Sequence, residues 1–297
     1  MVGVQPSPRT LAGASVLTIG PNVTVHGSSG QIATTFPDDR IINQGTIAAD
    51  TASSSLSLSG NIQNDGTLRA SGGGHLLSSD DFANNGLIEV MDASSRVSIA
   101  GTLTNDGHVQ VNGGILSADV AIDNRSAQTL AGTGHILAPV VTSSGGIEPG
   151  DPAVNGGIGT LHFGSLSEPT VLSLEGGSSA TVEIGLGADL AQIFGDLELP
   201  TGISLAHQIA LTLEIGVGAV AGTYPLFDYT GTLTGDVGNL LFESVTPGWE
   251  AQIIDNPGGT SIDVEIGPVP EAATAMWGLC TVFAWGLRRR RERVATA

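Results

Sequence analysis

The chain has 297 residues, with ten arginines, no lysine and 29 acidic residues, giving a formal net charge of −19. Ahead of Arg288, 28 acidic residues face five arginines, a net charge of −23 that excludes binding to nucleic acid and repels anionic membrane surfaces. Hydrophobic residues at 40% are too many for a disordered chain, while 43 glycines and only 4% aromatics fit narrow, closely stacked β-structure.

Residues 1 to 30 show no basic segment followed by an apolar one, so an export signal is expected upstream of Met1. Leu17-Thr18-Ile19 and Val23-Thr24-Val25 read as an irregular first repeat. Four segments then share one pattern: Asn43-Gln44-Gly45-Thr46-Ile47, Asn64-Asp65-Gly66-Thr67-Leu68, Asn84-Asn85-Gly86-Leu87-Ile88 and Asn105-Asp106-Gly107-His108-Val109. A period of about 20 residues signals a solenoid. Asn-x-Gly marks a turn, because both residues tolerate positive φ. Short alternating strands follow each turn, as in Leu87-Ile88-Glu89-Val90 and Val97-Ser98-Ile99. Two or three strands per repeat predict an all-β fold, a right-handed parallel β-helix with rungs of about 20–21 residues stacked ~4.8 Å apart. Asn43, Asn64, Asn84 and Asn105 are expected to align as a ladder of amides beside Gly45, Gly66, Gly86 and Gly107. Val120 to Asn124 reads as a degenerate further rung.

A catalytic site on such a rod needs carboxylates or bases from neighbouring rungs on one face. Asp38-Asp39 and Asp80-Asp81 share a register but lie two rungs, about 10 Å, apart. Solvated turns describe them more simply than a Ca²⁺ site, so no cofactor and no metal are expected. Arg69 and Arg96 fall on different faces. His26, His75, His108, His135, His162 and His207 look scattered, without zinc-ligand spacing. Only Thr46 and Thr67 approach the paired threonines of a flat binding array.

From residue 130 the period dissolves, although strands recur at 171 to 175, 181 to 184, 193 to 199, 209 to 215 and 261 to 266. In them Glu183, Glu198, Glu214 and Glu265 are expected to point outward. Residues 1–147 are therefore read as solenoid repeats and 148–267 as a β-rich continuation or capping region. Pro149-Gly150, Gly159-Thr160-Leu161, and the stretch from Ala188-Asp189-Leu190 to Tyr224-Pro225-Leu226-Phe227 resemble the last passenger-domain rungs of autotransporters. Their large membrane barrel is absent, so the resemblance does not imply self-translocation. A polysaccharide-cleaving lyase or hydrolase, the alternative to a non-enzymatic rod, would draw on Glu148, Asp151 and Glu175.

Residues 268–297 have three parts in order: Val269-Pro270-Glu271, an uncharged run from Ala272 to Leu287, and Arg288, Arg289, Arg290, Arg291 and Arg293. The run holds Trp277, Cys280, Phe283 and Trp285. As a helix it reaches about 24 Å, short of a ~30 Å hydrocarbon core unless the flanks snorkel or the bilayer thins. The arginines place the preceding chain on the far side of the membrane. This tail resembles the PEP-CTERM sorting domain of Gram-negative exported proteins, with Ala272 where that family has a second proline. The resemblance implies transient anchoring in the inner membrane, recognition and cleavage by an exosortase, and delivery to the cell surface or matrix. There an acidic rod would act as a structural or adhesive element, with extracellular polysaccharide as the expected partner.

Overall fold

A computed structural model describes residues 2–3, 14–151, 157–256 and 259–270. The chain winds as a parallel β-helix, each rung giving one short strand to each of three parallel sheets. Gly30–Ala33, Arg40–Asn43 and Thr46–Ala49 form one rung, and Ser55–Ser59, Ile62–Asn64 and Thr67–Ala70 form the next. Among the described residues the first sheet has 12 strands and the second and third have ten each. Strands of three to six residues suffice because each hydrogen-bonds to the rungs on both sides. Alternation does the rest, since Leu56 and Leu58 point inward while Ser55, Ser57 and Ser59 point outward.

Equivalent inward residues of successive rungs stack into columns. In the third sheet Ile47, Leu68, Ile88, Val109, Leu130 and Ile147 succeed one another in register. All six are buried, in one apolar core that runs from Ile19 to Ile266. Small and β-branched side chains suit this narrow interior; Phe163 and Phe227 are its largest fully buried members.

The numerical period does break after residue 130, but the coil does not. Val140–Ser143 pairs with Thr170–Leu174, which pairs with Gly195–Glu198. Gly146–Pro149, Ser179–Ile184, Ile209–Ile215 and Leu240–Val245 likewise continue the third sheet. The rungs lengthen because their corners carry loops, including the 3-10 turns Leu205–His207 and Val237–Asn239.

The coil ends in a change of strand direction. Gly222–Tyr229 pairs antiparallel with Ser261–Pro268, which pairs antiparallel with Trp249–Asp255. Ile262, Val264 and Ile266 are buried there, and Trp249, Ala251 and Ile253 pack against the core. Val269 and Pro270 are exposed, with the Val269 amide donating to the Gly248 carbonyl at 2.9 Å. Glu271, the expected apolar helix with Ala272, Trp277, Phe283, Trp285 and Leu287, and the arginine cluster all lie outside the described residues. Among the described residues no helix is long and apolar enough to cross a membrane.

Candidate functional site

The repeat asparagines occupy the last position of each second-sheet strand and are fully buried. Each Nδ2 donates to the Oδ1 of the next rung's asparagine at 2.7 Å, from Asn43 to Asn64, Asn84, Asn105 and Asn124. Asn124 Nδ2 then donates to Ser143 Oγ at 3.0 Å. The second amide proton is used as well: Asn64 Nδ2 donates to the Gly66 and Leu87 carbonyls, each at 3.2 Å. Asn105 Oδ1 accepts the Gly107 amide at 3.3 Å. Leu174 occupies the following rung position, and an apolar side chain ends the ladder.

The glycines next to the ladder act differently from the expectation. Gly45, Gly66, Gly86 and Gly107 are not among the residues with positive φ. A Cβ on Gly66 would instead run into the Gly45 carbonyl, one on Gly86 into the Gly66 carbonyl, and one on Gly107 into the Gly86 carbonyl. Close stacking of identical corners, rather than left-handed backbone, requires glycine here.

Turn carboxylates bind amides across rungs. Asp39 accepts the Ser15 amide, Asp80 the Gly60 amide at 2.7 Å, Asp81 the Thr102 amide at 2.8 Å and Asp92 the Gly72 amide at 2.7 Å. These bonds hold the Asp80 and Asp92 carboxyls below the usual range, the Gly60 amide acting most on Asp80 and the Ser94 hydroxyl most on Asp92. Asp39, and Asp80 with Asp81, thus serve corners two rungs apart. No group of three or more His, Cys, Asp or Glu side chains among the described residues is arranged to hold a metal ion.

Arg69, on the third sheet, pairs with Glu89 of the next rung at 2.6 Å, and Arg125 pairs with Asp106 at 3.0 Å. Arg96 lies on the first sheet and, among the described residues, donates to hydroxyls alone, Ser98 Oγ at 2.7 Å and Ser117 Oγ at 3.1 Å. The histidines are less scattered than their spacing suggests. His75, His135 and His162 all face outward on the first sheet, and His135 and His162 are direct strand partners. Their rings stack with centroids 4.5 Å apart, and His162 stacks in turn on Phe194 at 6.2 Å. Unequal rung lengths hid this alignment.

Acidic residues converge on the third sheet. Glu183 and Glu214 are strand partners, and with Glu148, Asp189, His108 and Gln110 they line an open cleft of about 410 Å³. Glu214 and Glu148 are exposed, as are Glu198 and Glu265, whereas Glu183 is half-buried. Burial first, then the neighbouring Glu214 and Glu148 charges, push the Glu183 carboxyl upward. Asp189 is fully buried, and burial raises its carboxyl to about 7 against the opposing pull of two backbone amides. Those amides, of Gly159 and Glu183, each donate at 2.7 Å to a different carboxyl oxygen. Asp189 therefore clamps a corner, with an amide donor on each of its oxygens. Of the alternative catalytic trio, Glu148 joins this cleft, Asp151 bridges to Gly157 beside it, and Glu175 sits at a corner of the second sheet. Thr24, Thr46 and Thr67 do form a column on the third sheet, but Leu87 and His108 interrupt it.

No protein-family model matches the chain, and no curated protein matches it.

Proposed function

We propose that the protein is an exported structural or adhesive β-solenoid, displayed at the cell surface or held in the extracellular matrix, and sorted and cleaved through its C-terminal signal. The observation that carries the reading is the coil itself: a continuous rod whose conspicuous buried polar groups are spent on holding rungs together. The ladder of Asn43, Asn64, Asn84, Asn105 and Asn124 and the cross-rung carboxylates make a stiff scaffold with long polar faces. The succession in the sequence of Val269-Pro270-Glu271, an uncharged apolar run and an arginine cluster supports sorting by an exosortase-type transpeptidase. Extracellular polysaccharide is the partner that such polar faces and an acidic, nucleic-acid-repelling surface fit best.

The test has two arms. In a Gram-negative host with an exosortase, replacing Arg288, Arg289, Arg290, Arg291 and Arg293 by serine is expected to abolish tail removal and surface display. Purified full-length chain should sediment with the exopolysaccharide of such a host. Unchanged display, or no co-sedimentation with or without Ca²⁺, would overturn the corresponding half. The competing reading is a polysaccharide-cleaving enzyme, favoured by the raised Glu183 carboxyl in its cleft. It requires new reducing ends or unsaturated products from acidic polysaccharides, lost in Glu183→Gln.

A further inference from the structure

In a chain this acidic, the strands of one face carry no carboxylate. The seven first-sheet strands from Ser55–Ser59 to Leu190–Ile193 contain no Asp or Glu at all. The next strand supplies the first one, Asp228, opposite Gln192. Outward positions of the third sheet, by contrast, carry Glu89, Glu148, Glu183 and Glu214, and those of the second carry Asp123 and Glu198. One outward column of the first sheet runs Ser55, His75, Arg96, Ile115, His135 and His162. Arg96 makes no ion pair among the described residues, unlike Arg69 and Arg125.

We propose that this face, centred on Arg96, His135 and His162, binds an uncharged, hydroxyl-rich glycan strand laid along the axis of the coil. The proposal rests on the adhesive reading above and gives it a site and a ligand class. Three features carry it. First, the face offers hydrogen-bonding groups, serine hydroxyls and imidazoles, on rungs spaced ~4.8 Å apart. Rings stacked on one another cover each other's faces, so His135 and His162 present their edges outward. Burial, and then the adjacent His135, lower the proton affinity of His162. Its Nδ1 is buried without a hydrogen-bond partner among the described residues. Second, Leu77, Ile115, Leu137 and Phe194 alternate with these polar groups and would meet the C–H surfaces of sugar rings. Third, the face is not flat. Glu168, Pro169 and Pro139 line, together with Arg96, Ser117 and Leu137, a groove of about 360 Å³. Asp119 and Glu168 also line that groove. One guanidinium against two carboxylates, on a molecule of charge −19, disfavours a carboxylated glycan.

The experiment uses the full chain and isothermal titration with cellohexaose and mannohexaose, with hexagalacturonate as the carboxylated comparison. Binding of at least one neutral hexasaccharide is expected, stronger than that of hexagalacturonate at low salt. Arg96→Gln and the double variant His135→Gln, His162→Gln should each weaken it about tenfold, the loss expected for one or two hydrogen bonds. Leu137→Glu should abolish it, while Arg69→Gln, on the third sheet, should leave it unchanged. Circular dichroism and melting temperature establish that each variant is folded; should the double variant fail to fold, Arg96→Gln and Leu137→Glu decide. Neutral-glycan binding that survives Arg96→Gln and Leu137→Glu overturns the site while leaving the adhesive reading standing. Preference for hexagalacturonate overturns the ligand class. Absence of binding to all three probes overturns this proposal, and the exopolysaccharide sedimentation above then decides the wider reading separately.

Discussion

At the scale of single residues, the coil places asparagine and glycine where almost no other residue fits. Asn84 accepts from Asn64, donates to Asn105 and also reaches the Gly86 and His108 carbonyls. A net hydrogen bond contributes about 1 kcal/mol, and a stranded buried group costs about 1–3 kcal/mol. Asn84→Ala is therefore expected to destabilise by about 3 kcal/mol in urea unfolding. Asn84→Asp should cost more at pH 7, since it buries a charge and removes the donor that Asn105 needs. Gly86→Ala pushes a methyl into the Gly66 carbonyl, a backbone atom that cannot turn aside. A loss of about 3 kcal/mol is expected, at the upper end for overpacking. Gly20→Ala, with nothing within 4 Å of the added carbon and no positive φ, should change stability by less than about 0.5 kcal/mol. Equal losses at Gly20 and Gly86 would refute the stacking explanation.

At the scale of elements, the corners decide how stability depends on pH. Asp189 holds the corner between Ser179–Ile184 and Leu190–Ile193, and its carboxyl is raised from 3.8 to about 7. A raised folded-state value means that its contribution is full below pH 3.8 and is lost as pH rises through about 7, on the order of 4 kcal/mol. Asp80, Asp92 and Asp196 are shifted the other way by their amide and hydroxyl donors. Their stabilisation is present above pH 3.8 and disappears on further acidification, and solvent exposure keeps it small. Melting temperature is accordingly expected to peak near pH 4 and to fall toward neutrality. Asp189→Asn should flatten the limb between pH 4 and 7; an unaltered slope would assign that limb to other groups. The same logic separates the corners by role: carboxylates at Asp39, Asp80, Asp81 and Asp92 cap neighbouring rungs, while Glu183 and Glu214 face a cleft.

At the scale of the whole molecule, stability in a coil of nearest-neighbour rungs is a sum along one dimension. Central rungs, paired on both sides, are expected to exchange amide hydrogens slowest, with protection falling toward Val16–Ile19 at one end. At the other end the antiparallel pair Trp249–Asp255 and Ser261–Pro268 covers the edge of Gly222–Tyr229. An uncovered strand edge is a template for pairing with another chain. Val264→Glu, which places a charge at a fully buried position, should loosen this cap and produce oligomers in size-exclusion chromatography. A monomer of unchanged stability would show that the pair does not protect the coil.

The period of about 20 residues, the alternation of each strand and the aligned asparagines were legible in the amino-acid order alone. A repeat that places the same residue at the same point of every rung needs no knowledge of the fold to be seen. The succession of a Val-Pro-Glu motif, an uncharged run and arginines at residues 269–293 is likewise a local pattern of the amino-acid order. The tertiary structure decided what sequence spacing could not. His135 and His162 stand 27 residues apart and Glu183 and Glu214 stand 31 apart, yet both are strand partners because corner loops of different length separate their rungs. Nor did the Asn-x-Gly signal disclose why its glycine is needed, since a clash with the carbonyl of the previous rung exists only once rungs are stacked. Local order determined that this chain would coil; the unequal loops determined which side chains the coil would bring face to face.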